Sequence, residues 1–296
     1  MSWWRDLAQW GAVVEMAPLA PRTTLGVGGV ARWLFRPLRR EGLIEALRLV
    51  PPGIRILVLG RGSNVLPPDG VLEALVVDMG ALHGIELEGT ALIAEAGARM
   101  GRVAAYACRM GLSGLEFMAT IPGTIGGGVA MNAGAYGAEV ADVCAAVEVV
   151  RPGEDAKWHP KEALGFGYRR ARLPEGAIVL RARFALKPDD PKAIAARMQQ
   201  MREKRARTQP LERPNCGSVF KNPEGDHAAR LIEAAGLKGL RVGGAMISEK
   251  HANFIVNLGW AKAADVRALI ERAREEVYRR FGVRLEPEVR IWEAEP

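Results

Sequence analysis

The segment Ile121-Pro122-Gly123-Thr124-Ile125-Gly126-Gly127-Gly128-Val129-Ala130-Met131-Asn132-Ala133-Gly134-Ala135-Tyr136-Gly137 places six glycines in seventeen residues and contains no lysine. Glycine carries no side chain and tolerates positive φ, so successive N–H groups can converge on one concavity and hold a diphosphate through the backbone alone. Cleared backbone also admits a flat ring system. On a second reading the glycines serve tight turns and close strand packing. A second glycine turn, Gly60-Arg61-Gly62-Ser63-Asn64, follows the apolar run Ile54 to Leu59 and favours the ligand reading, with the hydroxyls of Ser63, Thr120 and Thr124 as further donors.

Two familiar phosphate motifs are excluded by direct reading. A P-loop needs a lysine after its last glycine, but Gly128 is followed by Val129. A dinucleotide fingerprint begins at Gly60 and Gly62 and fails at Val65. The four histidines, His83, His159, His227 and His251, stand apart without metal-ligand spacing, so no metal is expected. Cys108, Cys144 and Cys216 are odd in number and form no CxxC pair, which points to free thiols.

The 296 residues are 49% hydrophobic and 25% charged, an ordinary soluble composition with room for two or three domains. There is no apolar run long enough to span a bilayer and no basic flank with an apolar core at the start, so a cytoplasmic protein without membrane contact is expected. A net charge of +7 suits anionic ligands, but the cations are spread along the chain rather than gathered in one tract. A phosphorylated metabolite meets that charge as well as nucleic acid does, and no aromatic RNA-binding motif is present.

Short β-type runs at 54–59, 75–78, 91–95 and 146–150, and the alternating run Ile178 to Leu186, mark the first half as α+β with a helix from Met100 to Met110. Leu43 to Leu49 also reads as helical, and the opening with Trp3, Trp4 and Trp10 as an arm. Composition shifts near Pro188 to a lysine- and arginine-rich helical run over 189–207. Beyond it Ala228 to Ala235 and Ala263 to Phe281 read as helices, the latter with a core stripe of Val266, Leu269, Ile270, Ala273, Val277 and Phe281. The expected organisation is an arm over 1–21, a region over 22–188 with subdomains near 22–80 and 81–188, and a smaller domain over 189–296.

Three polar stretches carry candidate chemistry. In Phe166-Gly167-Tyr168-Arg169-Arg170 an arginine fork suits a carboxylate, although a solvated basic turn has the same spelling. In Asn215 to Pro223, Ser218 lies between small residues, Lys221 and Asn222 offer donors, and Cys216 lacks a neighbouring histidine to act as its base, which favours a structural thiol. In the alternating run Leu285 to Trp292, Glu288 is either a catalytic acid or a surface carboxylate. His251 reads as a satisfied structural histidine.

Taken in order, Thr23 to Gly29, Leu59 to Leu66, Ile121 to Gly137, Phe166 to Arg169, Gly217 to Pro223 and Pro287 to Arg290 resemble the UDP-N-acetylenolpyruvoylglucosamine reductases. Two positions depart from the family pattern, Arg22 where asparagine is usual and Ala171 where serine is usual. The chain resembles the shorter form of the family, which lacks an extra substrate-covering loop.

The resemblance implies an α+β protein with a two-subdomain FAD-binding region of PCMH (vanillyl-alcohol-oxidase) type and a smaller α/β substrate domain. It implies noncovalent FAD, since neither glycine loop holds a histidine or cysteine, and NADPH as co-substrate. Cofactor contacts are expected from Gly60, Arg61, Gly62, Ser63, Asn64, Thr120, Ile121, Pro122, Gly123, Gly126, Gly127, Asn132, Gly134 and Ala135. By the same resemblance Arg169 stabilises an enolate, Ser218 donates a proton, Glu288 assists, and Tyr168, Lys204, Arg205, Lys221 and Asn222 meet a UDP-sugar substrate. A role in peptidoglycan precursor synthesis on a small-molecule partner is implied by the resemblance; a monomer is expected because no exposed apolar stripe is left unassigned, and no nucleic acid is expected.

Overall fold

The computed structural model describes residues 2–294. Its chain divides into two compact units that are not contiguous in sequence. The first comprises the chain up to Glu15, Trp33–Arg61 and Ala74–Lys204; the second comprises Met16–Arg32, Gly62–Glu73 and the chain from Arg205 onward. The grouping differs from the contiguous stretches expected from composition, because residues 16–32 and 62–73 make their contacts with the carboxy-terminal part.

In the first unit an antiparallel sheet runs in the order Lys157–Pro160, Cys144–Val150, Ile178–Ala185, Ala91–Glu95 and Ile85–Glu88. Its strands are close to those read from alternation. Arg181 stands opposite Glu148 across the pair and its guanidinium bonds both carboxylate oxygens, at 2.7 and 3.1 Å, an arrangement that fixes register. Beside the sheet lies the helix Met100–Arg109, which buries Met100, Val103, Ala104 and Ala107 and is stopped by Gly111 at φ +65°. The core holds Phe35, Phe117, Leu92, Leu180 and Phe184, all at most 1% exposed.

A four-stranded sheet takes Gly11–Pro18, Val30–Pro37, Val71–Asp78 and Ile56–Leu59 in that order, the last two parallel. The opening of the chain is therefore a sheet strand and not only an arm. Trp10 packs on the helix Arg40–Leu49 at Gly42, where an added Cβ would lie 2.9 Å from the tryptophan Cβ.

The second unit builds its own core around the helix Ala263–Phe281, which buries Val266, Leu269, Ile270, Ala273 and Val277 of the stripe read from the sequence and Ala263 besides; Phe281, the last residue of that stripe, is left 40% exposed. Facing the helix is a three-stranded sheet of Arg241–Val242, Ala245–Ile247 and Ile255–Asn257. Asp69 caps the helix from a distant part of the chain, accepting from the N–H groups of Ala263 at 2.7 Å and Ala264 at 2.9 Å. A short parallel pair, Val65–Leu66 with Arg290–Ile291, joins the residues after the first glycine turn to the chain's end. Only those two residues of the expected strand 285–292 pair this way; just before them Glu286 and Glu288 bond instead to Lys221 and Val219, and Pro287 bridges to Phe220.

Candidate active site

Gly60, which opens the first glycine turn, meets the second glycine loop within the first unit. An added Cβ on Gly60 would lie 2.3 Å from the Thr124 hydroxyl oxygen, so only glycine permits this approach. The Ile125–Ala130 helix that follows uses its glycines unequally. A Cβ on Gly126 would fall 2.9 Å from that of Ala96, and one on Gly128 would fall 3.0 Å from the Met100 sulfur. Gly127 is exposed, with nothing nearer than 3.8 Å. Packing therefore accounts for Gly126 and Gly128, while Gly127 leaves cleared surface.

Arg61, Thr120, Ile121, Pro122 and Gly123 come together around a pocket of about 400 Å³. Arg99 and Arg102, which sequence reasoning missed, complete its wall. The glycine loop itself carries no charge, but arginines from neighbouring elements supply it. The hydroxyl of Thr120 donates to the Phe117 carbonyl at 3.1 Å, so this one of the expected donors to a phosphate is occupied within the fold; Thr124 is 5% exposed.

Gly134 and Ala135 line a second hollow of about 350 Å³ with Arg169. Arg169 sits at the tip of a two-residue turn closed by mutual backbone bonds between Gly167 and Arg170, at 3.0 and 3.1 Å. Its backbone is left-handed, φ +54°, a conformation that costs a non-glycine residue about 1 kcal/mol or more. Its guanidinium donates to the Gly134 carbonyl at 3.1 Å and lies 5.0 Å from the centre of the Tyr168 ring. Asn132, expected at the cofactor, is instead fully buried: its amide donates to the Gly167 carbonyl and accepts from the Ala141 N–H, tying this turn to the glycine loop. Lys204 stands 5.8 Å from the ring of Tyr136, whose hydroxyl donates to the Met201 carbonyl; Arg205 follows in the same helix.

The remaining candidates gather in the second unit. Ser218 lies in a loop held by Asn253, which accepts from the Val219 and Phe220 N–H groups and donates to the Phe220 carbonyl. The Val219 carbonyl in turn receives the Glu288 N–H at 2.7 Å, bringing Ser218 and Glu288 onto neighbouring strands of backbone. Asn64 donates to the Glu288 carbonyl at 3.1 Å. Gly217, at φ +77°, leaves open space before the serine. Burial, reinforced by the charge of Glu288, pushes the Cys216 thiol up to about 12, which keeps it protonated and unreactive as expected of a structural thiol.

Lys221 pairs with Glu286, and Asn222 accepts from the Ala228 N–H at 3.1 Å at the start of the helix Ala228–Ala234. Both expected substrate contacts thus have work within the fold. Asn253 and Asn257 were missed as positioning residues; Asn257 donates to the carbonyls of Leu25 and Gly26 and accepts from two N–H groups, at Gly259 and Ala261. Their signal was present, since each polar amide interrupts or ends an apolar run and has to be satisfied when buried.

Fold and loops define the class as flavoprotein, and residues 31–157 match the FAD binding domain family while residues 209–292 match the UDP-N-acetylenolpyruvoylglucosamine reductase C-terminal domain. A UDP-N-acetylenolpyruvoylglucosamine reductase from Alkalilimnicola ehrlichii is 46% identical over 95% of either chain, and the reductase 2 of Symbiobacterium thermophilum is 46% identical over 97% of this chain and 94% of its own. The crystal structure of the reductase from Thermus caldophilus superposes with a TM-score of 0.83 at 42% identity, covering 96% of this chain and 99% of that one. The chain belongs to the UDP-N-acetylenolpyruvoylglucosamine reductase family. No helix among the described residues is long and apolar enough to cross a membrane.

Proposed function

We propose that the protein is an NADPH-dependent flavoenzyme reducing the enolpyruvyl ether of UDP-N-acetylglucosamine to UDP-N-acetylmuramate, a step of peptidoglycan precursor synthesis. It acts in the cytoplasm, as a monomer, on this small-molecule substrate. The observation that supports the reading is the bond from Glu288 N–H to the carbonyl of Val219, the residue after Ser218, in a chain that matches one of these reductases over 95% of its length.

The residues present fit a flavin dinucleotide: cleared backbone at Gly127, a glycine approach at Gly60, and a pocket walled by arginines. Gly60, Arg61 and the Thr120 to Gly123 segment would hold it, with Gly134 and Ala135 at a second hollow. When bound, FAD supplies the hydride, taken from NADPH and delivered to C3 of the enolpyruvyl group. Negative charge then develops at C2 and spreads into the substrate carboxylate. Arg169 meets that carboxylate with a guanidinium already anchored on Gly134, so little reorganisation is needed as charge appears.

Ser218 holds the proton destined for C2. A serine hydroxyl is a weak acid in water, so this role requires a strongly basic acceptor and a fixed donor; the Asn253 clamp around Val219 and Phe220 supports the second condition. Glu288 assists by polarising the carboxylate or by orienting the serine. Tyr168, Lys204 and Arg205 are assigned to the UDP-sugar, whereas Lys221 and Asn222 are assigned to shaping the loop that carries Ser218.

The test is an anaerobic titration of the purified protein. A flavin absorption band should bleach with NADPH and return on adding the enolpyruvyl UDP-sugar without oxygen. Bleaching that only oxygen reverses would replace this reading with an oxidase on the same scaffold.

A further inference from the structure

We infer that Asn132 is a positioning residue for Arg169: its one buried amide sets both the backbone that carries the guanidinium and the carbonyl on which the guanidinium rests. The inference rests on the reductase reading above. It gives Asn132, first expected at the cofactor, a role in the substrate half-reaction.

Arg169 has two attachments, and the same residue governs each. Its left-handed backbone, φ +54°, persists only where the surroundings over-determine it. The turn is closed at Gly167, whose carbonyl accepts from the Arg170 N–H at 3.1 Å and from the Asn132 amide at 3.0 Å. The other attachment is the Gly134 carbonyl, which receives the guanidinium at 3.1 Å. Gly134 lies on the loop 133–140. That loop closes where the Asn132 side chain accepts from the Ala141 N–H at 2.9 Å and the Ala133 carbonyl accepts from the Val140 N–H at 3.0 Å. The donor end of one side chain thus holds the turn, and its acceptor end holds the loop that anchors the guanidinium.

The chemistry open to position 132 is narrow. Its backbone is itself left-handed, φ +41°, which glycine, asparagine and aspartate tolerate best. Its side chain is fully buried and must donate to a carbonyl while accepting from an N–H, which an ionised carboxylate cannot do. Asparagine alone of the three meets both demands. Misplacing a reacting group by about 1 Å can slow a reaction roughly a hundredfold. A residue that never touches substrate therefore controls how well the guanidinium meets the charge developing on the substrate carboxylate.

The experiment is anaerobic rapid mixing of the FAD-loaded parent with two variants. Asn132→Gly keeps the backbone conformation and removes both bonds; Asn132→Asp keeps the shape and removes the donor. With NADPH the flavin band should bleach at the parental rate in both. Its return on adding the enolpyruvyl UDP-sugar should slow roughly tenfold to a hundredfold in Asn132→Gly, and should slow as well in Asn132→Asp, which carries the test alone if the glycine variant loses its flavin. In an Arg169→Ala background the same change at 132 should slow the return by no more than about twofold, because the residue acts through the arginine. Losses that multiply in the double variant would overturn the proposal, as would bleaching slowed as much as the return, or a return at the parental rate in both single variants. Loss of FAD from both single variants would also overturn it and give Asn132 back to the cofactor loop. A parent whose bleached band returns only with oxygen would refute the reductase reading itself.

Discussion

The side-chain amide of Asn64 donates to the backbone carbonyl of Glu288 at 3.1 Å, and the Arg290 N–H returns a bond to the Asn64 carbonyl at 3.0 Å. A residue of the first glycine turn therefore holds the backbone of the residue proposed to assist Ser218. Replacing Asn64 by alanine removes one bond worth about 1 kcal/mol. The substrate half-reaction should slow roughly fivefold, with flavin reduction by NADPH slowed less; rapid mixing of each half-reaction separates the two.

The glycines at 126 and 127 make a controlled pair. Gly126→Ala drives a Cβ to 2.9 Å from that of Ala96, a strand-side neighbour with no rotamer to yield, so the urea midpoint should fall. Gly127→Ala meets nothing nearer than 3.8 Å and gains helix propensity, so stability should hold or rise by up to about 1 kcal/mol. Its FAD affinity should nevertheless weaken, read by fluorescence on dilution. Intact FAD affinity in Gly127→Ala would return the glycine run to packing alone.

Asp69 caps the helix Ala263–Phe281 from outside it, through the N–H groups of Ala263 and Ala264. Asp69→Ala should cost about 1 kcal/mol, and Asp69→Asn should recover part of that. Urea unfolding followed by circular dichroism measures both.

Burial lowers the His251 pKa below its ordinary 6.5, with Lys238 adding to the effect and Glu233 opposing it. Asn253 N–H donates to its Nδ1 at 3.3 Å, which requires the neutral ring at that nitrogen. Because the unfolded chain binds this proton more readily, the contribution is full above pH 6.5 and is lost as pH falls below it. The urea midpoint should drop between pH 7.5 and 5.5, and His251→Gln should show a shallower drop.

Much of the fold was legible because periodicity reports burial directly. The stripe in Ala263–Phe281 and the strand Ala91–Glu95 lie where pattern placed them. Gly11–Pro18 was not legible, since only Ala17 among its residues is buried and a mostly exposed strand leaves little alternation to read. The noncontiguous grouping was hidden for a different reason: contacts such as Asp69 with Ala263 join residues far apart in sequence. At the site, Arg169, Ser218 and Glu288 came from resemblance, whereas Arg99 and Arg102 looked like ordinary members of a helix start.

The central claim is that Ser218 gives the proton to C2 and takes no part in flavin reduction. The most direct test is single-turnover absorbance of FAD-loaded Ser218→Ala, mixed anaerobically with NADPH and then with the enolpyruvyl UDP-sugar. The flavin band should bleach at the parental rate, and its return should be slower by roughly two orders of magnitude or more. Bleaching lost together with the return, in a folded FAD-bound variant, or a return at the parental rate, would contradict the assignment.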